Sequence, residues 1–143
     1  MTQTAGLKVL IVDDHAPMRQ TLREILSPIA SDIHEAADGG QAIHLFAEEQ
    51  PDWVVMDVRM QPINGLNATR AIRRRFPTAR IIIVTQYDDP DVRAEAARAG
   101  ACAYVLKDDL AALTQLITGA GGSRRDITDI SEASPGARPA DQP

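Results

Sequence analysis

Residues 53–57, Trp-Val-Val-Met-Asp, constrain the fold of this chain more than any other stretch. Four consecutive apolar residues are too few for a helix, and their β-branched and aromatic character reads as a strand buried on both faces, as in a parallel sheet. Such a run should not end in a carboxylate, because an ionised acid at the rim of an apolar layer is costly unless something cationic meets it. Asp57 is therefore either the first residue of a turn, a common place for Asp, or a group kept for chemistry. The other strands of the chain bear on that choice.

Leu7 to Val12 reads as a first strand that stops at Asp13 and Asp14. Beyond Asp14 the apolar period lengthens: Met18, Leu22, Ile25, Leu26 and Ile29 recur at helical spacing with Pro17 in the first turn, so a helix is expected over about 16–29. A weak strand over 31–37 precedes Asp38-Gly39-Gly40, a turn whose Asp can cap a second helix that Pro51 ends. After the strand at Trp53, loop residues 61–64 lead to a third helix with Leu66, Ala68, Thr69 and Ile72, closed by Pro77. Arg80 to Thr85 is a strand apolar on both faces, and it too ends in a polar group. A fourth helix starts around Asp88–Asp91 and offers only Val92, Ala96 and Ala99 to a core before Gly100. Burial stabilises by about 25 cal/mol per Å² of apolar area, so this alanine-rich helix is expected to be the most loosely held. Cys102 to Leu106 forms a fifth strand ending at Lys107, and a short helix over about 109–118 follows. The composition then shifts to Gly, Pro, Ser, Ala, Asp and Arg, so one domain over 1–118 with a disordered polar tail over 119–143 is expected.

Strands alternating with helices predict an α/β domain with a five-stranded parallel sheet, since parallel neighbours need helical crossovers. In such sheets ligands bind outside the carboxyl ends of the strands, near the point where strand order reverses. Four of the five strands leave polar residues there: Asp13 and Asp14, Asp57, Thr85 and Lys107. In the flavodoxin-like order 2-1-3-4-5 the second strand lies at an edge, and it contributes none. Three carboxylates in one crevice repel each other unless a cation is present, and Mg²⁺ suits a set of oxygen ligands. Lys107 supplies a positive charge and Thr85 a hydroxyl donor, a combination suited to a tetrahedral dianion attached to, or arriving at, one carboxylate. Phosphoryl transfer needs little beyond alignment and charge neutralisation, and Asp57, on the middle strand, is the geometric choice of nucleophile.

These residues resemble the receiver domain of bacterial two-component response regulators. The motifs are Ile11-Val12-Asp13-Asp14-His15, Met56-Asp57-Val58-Arg59-Met60 with Gly65 eight residues after Asp57, Val84-Thr85, and Gly100 through Lys107. The resemblance covers about residues 6–118. It implies a CheY-like three-layer fold, and an Asp57 that takes a phosphoryl group from a sensor histidine kinase or phosphotransfer protein. It also implies Mg²⁺ held by Asp14, Asp57 and the main-chain carbonyl of Arg59, with Asp13 helping through water. Thr85 and Tyr104 would form the switch that remodels the face of helix four, strand five and helix five, a face through which receivers often pair as homodimers. Nothing in the sequence names the downstream protein target.

The chain departs from the family at two places. Gln61 stands directly after Met60, where receivers usually have Pro, and Pro62 follows it, pushing Gln61 toward extended geometry. After Thr85, usually followed by a small residue, come Gln86 and Tyr87. Arg59 and Tyr87, two residues beyond Asp57 and Thr85, are expected to cover part of the path of attacking water and so to set the phosphate lifetime. Tyr104 also has a plain reading as a core aromatic, since strands favour aromatics.

The remaining candidates have bland readings. Arg73-Arg74-Arg75 at a helix end suits the helix dipole. His15 has no second His or Cys at a metal spacing, His34 and His44 read as surface residues, and the single Cys102 as a small buried hydrophobe. A net charge of −5 argues against direct nucleic-acid binding. With no apolar run long enough to span a membrane and no signal-peptide pattern at the N-terminus, a cytoplasmic location is expected.

Three other functions compete with that of a single-domain receiver. A haloacid-dehalogenase-like aspartyl-phosphate hydrolase would carry a second Asp two residues after the nucleophile, where this chain has Arg59. A receiver-like interaction module would work without phosphorylation. A receiver belonging to a longer DNA-binding regulator would open with the same Val-Asp-Asp-His sequence.

Overall fold

The computed structural model describes residues 6–119. Strands β1 (Lys8–Val12), β2 (Asp32–Ala36), β3 (Trp53–Asp57), β4 (Ile81–Thr85) and β5 (Ala103–Leu106) alternate with helices α1 (Ala16–Leu26), α2 (Gly39–Glu49), α3 (Gly65–Arg75), α4 (Pro90–Ala99) and α5 (Ala111–Thr118). The strands form one parallel sheet in the order β2-β1-β3-β4-β5, the expected flavodoxin-like arrangement.

Alternation along each strand divides the core into two layers. Leu10, Val12, Val54, Met56, Ile81, Ile83 and Tyr104 pack with residues of α2, α3 and α4, among them Phe46, Leu66, Ile72 and Ala96. Val9, Ile11, Val55, Ile82, Val84 and Val105 pack on the other face with Leu22 and Leu26 of α1 and Leu113 and Ile117 of α5. Every residue of β3 and β4 is buried. A fully buried Val or Ile side chain is worth about 1.5–3 kcal/mol, so these central strands can hold a carboxylate at their end against its desolvation cost.

Local signals fix the helix starts. Asp38 caps α2 by accepting from the Gln41 amide at 2.9 Å, and Asn64 caps α3 by accepting from the Asn67 amide at 2.9 Å. Asp89 caps α4 with Pro90 following, and Gly100 closes that helix at φ 104°, a left-handed conformation that favours glycine. Helix α4 buries only Ala96 and Ala99. The basic run 73–75 is the last turn of α3, where Arg73 donates to the carbonyls of Pro77 and Ala79.

Some boundaries differ from expectation. Helix α1 stops at Leu26 because Pro28 has no N–H to extend the ladder, and Ile29 closes a turn onto Leu26 instead. Helix α5 begins at Ala111 because residues 109–113 first turn through tight three-residue hydrogen bonds, Ala112 to Asp109 and Leu113 to Leu110. Arg80 lies outside β4, with its guanidinium over the Trp53 ring at 4.4 Å. Cys102 is only half-buried, not a core residue. Apart from Gly119, the tail expected over 119–143 lies outside the described residues.

Candidate functional site

All the polar strand ends lie at the carboxyl edge of the sheet, and Asp13, Asp14, Asp57 and Lys107 come together there. Asp13, Asp57 and Lys107 share the parity of Ile11, Val55 and Val105, so the three side chains rise on the α1–α5 side. Asp13 and Asp57 are buried, at 1% and 6% exposure, whereas Asp14 is exposed. One ligand oxygen from each of the three acids lies within 4.8 Å of the others. Lys107 Nζ stands 3.2 Å from Asp13 Oδ2 and 3.2 Å from Asp57 Oδ1. Asp13 Oδ2 nonetheless has no aligned hydrogen bond, so its contact with the ammonium is an ion pair of poor geometry. Its Oδ1 accepts from the His15 amide at 2.9 Å, which fixes the carboxylate at the start of α1.

Burial, and then the neighbouring Asp13 charge, push the Asp57 carboxyl above its ordinary value, with Lys107 pulling the other way. Burial presses the Lys107 amine down, but the charges of Asp57 and Asp13 outweigh it and the net shift is upward. The crevice therefore carries more negative than positive charge. Its hard oxygen donors, one of them buried without a hydrogen bond, fit an oxygen-seeking divalent cation.

Gly65 explains the eight-residue spacing after Asp57. A Cβ there would lie 1.9 Å from the Asp57 carbonyl oxygen, and its amide donates to the Val58 carbonyl at 2.9 Å, so the loop folds tightly back under the acid. Within that loop the Gln61–Pro62 peptide is cis.

Thr85 is buried at the end of β4 on the parity of Ile81 and Ile83, the face that also carries Tyr104. Its carbonyl accepts from the Lys107 amide at 2.8 Å, which ties the two strand ends together. Tyr104 is fully buried, its hydroxyl donating to the Tyr87 carbonyl at 3.1 Å and accepting from the Asp89 amide at 3.4 Å. Burial, above all, pushes that hydroxyl's pKa up. The Arg93 guanidinium lies over its ring at 4.4 Å.

Arg59 and Tyr87 do come together: the Arg59 guanidinium lies 5.9 Å from the centre of the Tyr87 ring, which is 59% exposed. Tyr87 also lines an open cleft of about 540 Å³ with His15, Met18, Gln86, Lys107 and Asp108. Gln86 projects at the side of this cleft, exposed to solvent.

Among the histidines, His44 is exposed as expected and pairs with Glu48 at 3.2 Å. His34 is not a simple surface residue: its imidazole is half-buried between Asp32 and Glu49. Asp32 and His34, two residues apart on a weak strand, were the available signal for that cluster, but Glu49 becomes their neighbour only through folding.

Fold and crevice together define a doubly wound α/β domain with an acidic site at its strand ends. The sequence profile of the response regulator receiver domain matches residues 9–118, and the chain belongs to that family, the receivers of two-component signalling systems. It is 36% identical over 103 residues to chemotaxis protein CheY of Thermotoga maritima, covering 71% of this chain and 86% of that protein. It is 40% identical over 106 residues to oxygen regulatory protein NreC of Staphylococcus haemolyticus, covering 71% and 48%. The chain spans about half the length, or less, of most of the curated relatives it matches, and 29% of regulatory protein AtoC of Escherichia coli. Among solved structures, a LuxR-family response regulator from Aurantimonas is 38% identical with a TM-score of 0.74, over 79% of this chain and 83% of that one. CheY in the CheX–CheY–BeF₃–Mg complex of Borrelia burgdorferi is 25% identical with a TM-score of 0.74, over 80% and 89%. Among the described residues no helix is long and apolar enough to cross a membrane.

Proposed function

We propose that Asp57 is the phosphoacceptor of this receiver, and that the donor is a phosphohistidine on a sensor kinase or phosphotransfer protein. A carboxylate oxygen of Asp57 attacks phosphorus as the phosphorus–nitrogen bond breaks, and the imidazole leaves. Asp14, Asp57 and the Arg59 carbonyl would hold Mg²⁺, with Asp13 acting through water. Bound there, the ion would supply neutralisation for the negative charge of the transferring phosphoryl group. Lys107 shifts from the Asp57 carboxylate to the incoming phosphoryl oxygens, and Thr85 donates its hydroxyl to another. The domain thus catalyses only its own phosphorylation and dephosphorylation.

The observation that carries this reading is the placement of Lys107 at 3.2 Å from both Asp13 and Asp57, beside a third acid. The Mg²⁺ and BeF₃ of the Borrelia burgdorferi CheX–CheY complex support the same choice of ion. A phosphate adds roughly one further negative charge and new acceptor oxygens, which gives Thr85 something different to bind. Tyr104, on the same face as Thr85 and tied to the loop before α4, would carry the change to α4, β5 and α5. Through that face the domain would meet its target, or a second copy of itself, in the cytoplasm. Incubation with acetyl phosphate and Mg²⁺, followed by intact mass, tests the proposal: one phosphoryl group gained by the native chain and none by Asp57→Ala is expected.

A second reading places the domain as the receiver of a DNA-binding regulator, with no nucleic-acid contact of its own. The 38% identity to the LuxR-family structure and the 48% coverage of NreC favour it.

A further inference from the structure

A second cluster of ligand-type side chains lies at the outer edge of the sheet. Asp32 and His34 are two residues apart on β2, so the pleat sets both on one face of the edge strand. Glu49, the last residue of α2, meets them there. His34 Nε2 is 3.2 Å from Asp32 Oδ1 and 3.4 Å from Glu49 Oε1, and the three residues each bring a ligand atom within 4.8 Å of the others.

Nε2 is a buried atom, yet it makes no hydrogen bond with either carboxylate. An N–H donor would have one acid on its axis. Ligands at about 2.0–2.1 Å around a tetrahedral ion stand roughly 3.3–3.4 Å apart, close to the 3.2 and 3.4 Å that separate Nε2 from the two carboxylate oxygens. The charges agree: Asp32 and Glu49 bring two negatives and Lys8 returns one, 3.1 Å from Glu49 Oε1 and 4.0 Å from Asp32 Oδ2. Lys8 also donates to the Glu49 carbonyl at 3.0 Å, so it keeps a partner when the carboxylate turns to a metal.

We propose that Asp32, His34 and Glu49 bind a borderline divalent ion of the Zn²⁺ class, with a water as fourth ligand. An imidazole in the set favours Zn²⁺ over Mg²⁺, which takes oxygen. The site is separate from the acidic crevice, since Lys8 and Asp32 open their strands whereas Asp13 follows the end of β1. The bound ion pins the edge strand β2 to the end of α2 and stabilises the fold, because the unfolded chain has no such site.

The test is calorimetric titration of the chain with Zn²⁺ in excess Mg²⁺. One Zn²⁺ is expected, its affinity falling at least about tenfold in His34→Gln and in Glu49→Gln and holding in His44→Gln. Lys8→Gln removes the competing ammonium and should tighten binding, a change in the opposite direction from any loss of structure. Co²⁺ in place of Zn²⁺ should give the visible absorption of a tetrahedral site in the native chain and none in His34→Gln. Zn²⁺ affinity unchanged by His34→Gln, or weakened by Lys8→Gln, overturns the assignment.

Discussion

Lys107 reaches Asp57 across an intervening strand. Its Nζ lies 3.2 Å from Asp57 Oδ1, although β5 and β3 are separated by β4. Two strand spacings amount to about 9–10 Å, so the lysine extends over the end of β4 to arrive there. The crossing closes one side of the crevice and neutralises part of its charge.

Removing that ammonium leaves Asp13 and Asp57 buried without a counter-charge. Breaking a fully buried pair costs about 3–5 kcal/mol, but the Lys107 side chain is 23% exposed and water can enter the cleft. Lys107→Ala should therefore lose about 1–2 kcal/mol in metal-free buffer, measured by urea unfolding. Millimolar Mg²⁺ should raise its melting temperature more than that of the native chain, because the divalent ion takes over the missing neutralisation. Its phosphorylation by acetyl phosphate should slow at least about tenfold.

Asp57 works against stability when no metal is bound. Its carboxyl pKa is raised, so the folded chain holds this proton more tightly than the unfolded one, and ionisation above that pKa costs stability. Asp57→Asn should melt a few degrees higher than the native chain at neutral pH in a chelator. That advantage should shrink as the pH falls through the raised pKa and the native acid becomes neutral too. Lys107, also raised, contributes stability that is lost only as alkaline pH passes its folded value. Glu35, whose pKa is held down first by its hydrogen bond with Arg23, loses its contribution as acid pH passes its folded value. Its effect is common to both proteins and cancels in the difference. A gap that stays constant from neutral to acid pH would refute the assignment of that cost to Asp57.

These relationships were unevenly legible in the sequence. Short apolar runs marked the strands and the 3.6-residue period the helices, and polar residues at four strand ends marked the crevice, because burial and chain exit are both written in residue type. The contact of Lys107 with Asp57 was implied only by strand order, and strand order came from the likeness to a family. What stayed hidden depends on which elements touch. His34 reads as an ordinary edge-strand residue until α2 brings Glu49 beside it, and Cys102 reads as core until its place just before β5 leaves it half-exposed. Helix ends shifted wherever a proline or a tight turn competed with the apolar period, as at Pro28 and around Leu110.

Gly65 is held by contact with the backbone, not by a left-handed conformation. An added Cβ would lie 1.9 Å from the Asp57 carbonyl oxygen and 2.8 Å from its carbonyl carbon, and backbone cannot swing aside as a side chain can. Gly65→Ala should destabilise the domain by at least about 2 kcal/mol in denaturant titration. It should also weaken Mg²⁺ binding, because the displaced segment carries Asp57.

The phosphate-lifetime role proposed for Arg59 and Tyr87 rests on their meeting. The guanidinium over the exposed Tyr87 ring joins the loop after β3 to the loop after β4, and the ring lines the cleft that also holds Lys107. A phosphate on Asp57 would sit beside Lys107, so water attacking it would approach through that cleft. Removing either partner widens the path, so Arg59→Ala and Tyr87→Ala should each lose the phosphate several-fold faster than the native chain, measured by the decay of phosphorylated protein after donor removal. The double variant should be little faster than either single one, since the two side chains act as one cover. Tyr104 sets where Tyr87 stands, by donating to its carbonyl at 3.1 Å. Tyr104→Phe should therefore speed decay in the native background while costing about 1 kcal/mol of stability, and should have no further effect once Tyr87 is alanine. Unchanged decay in both Arg59→Ala and Tyr87→Ala would leave the pair with no part in the lifetime.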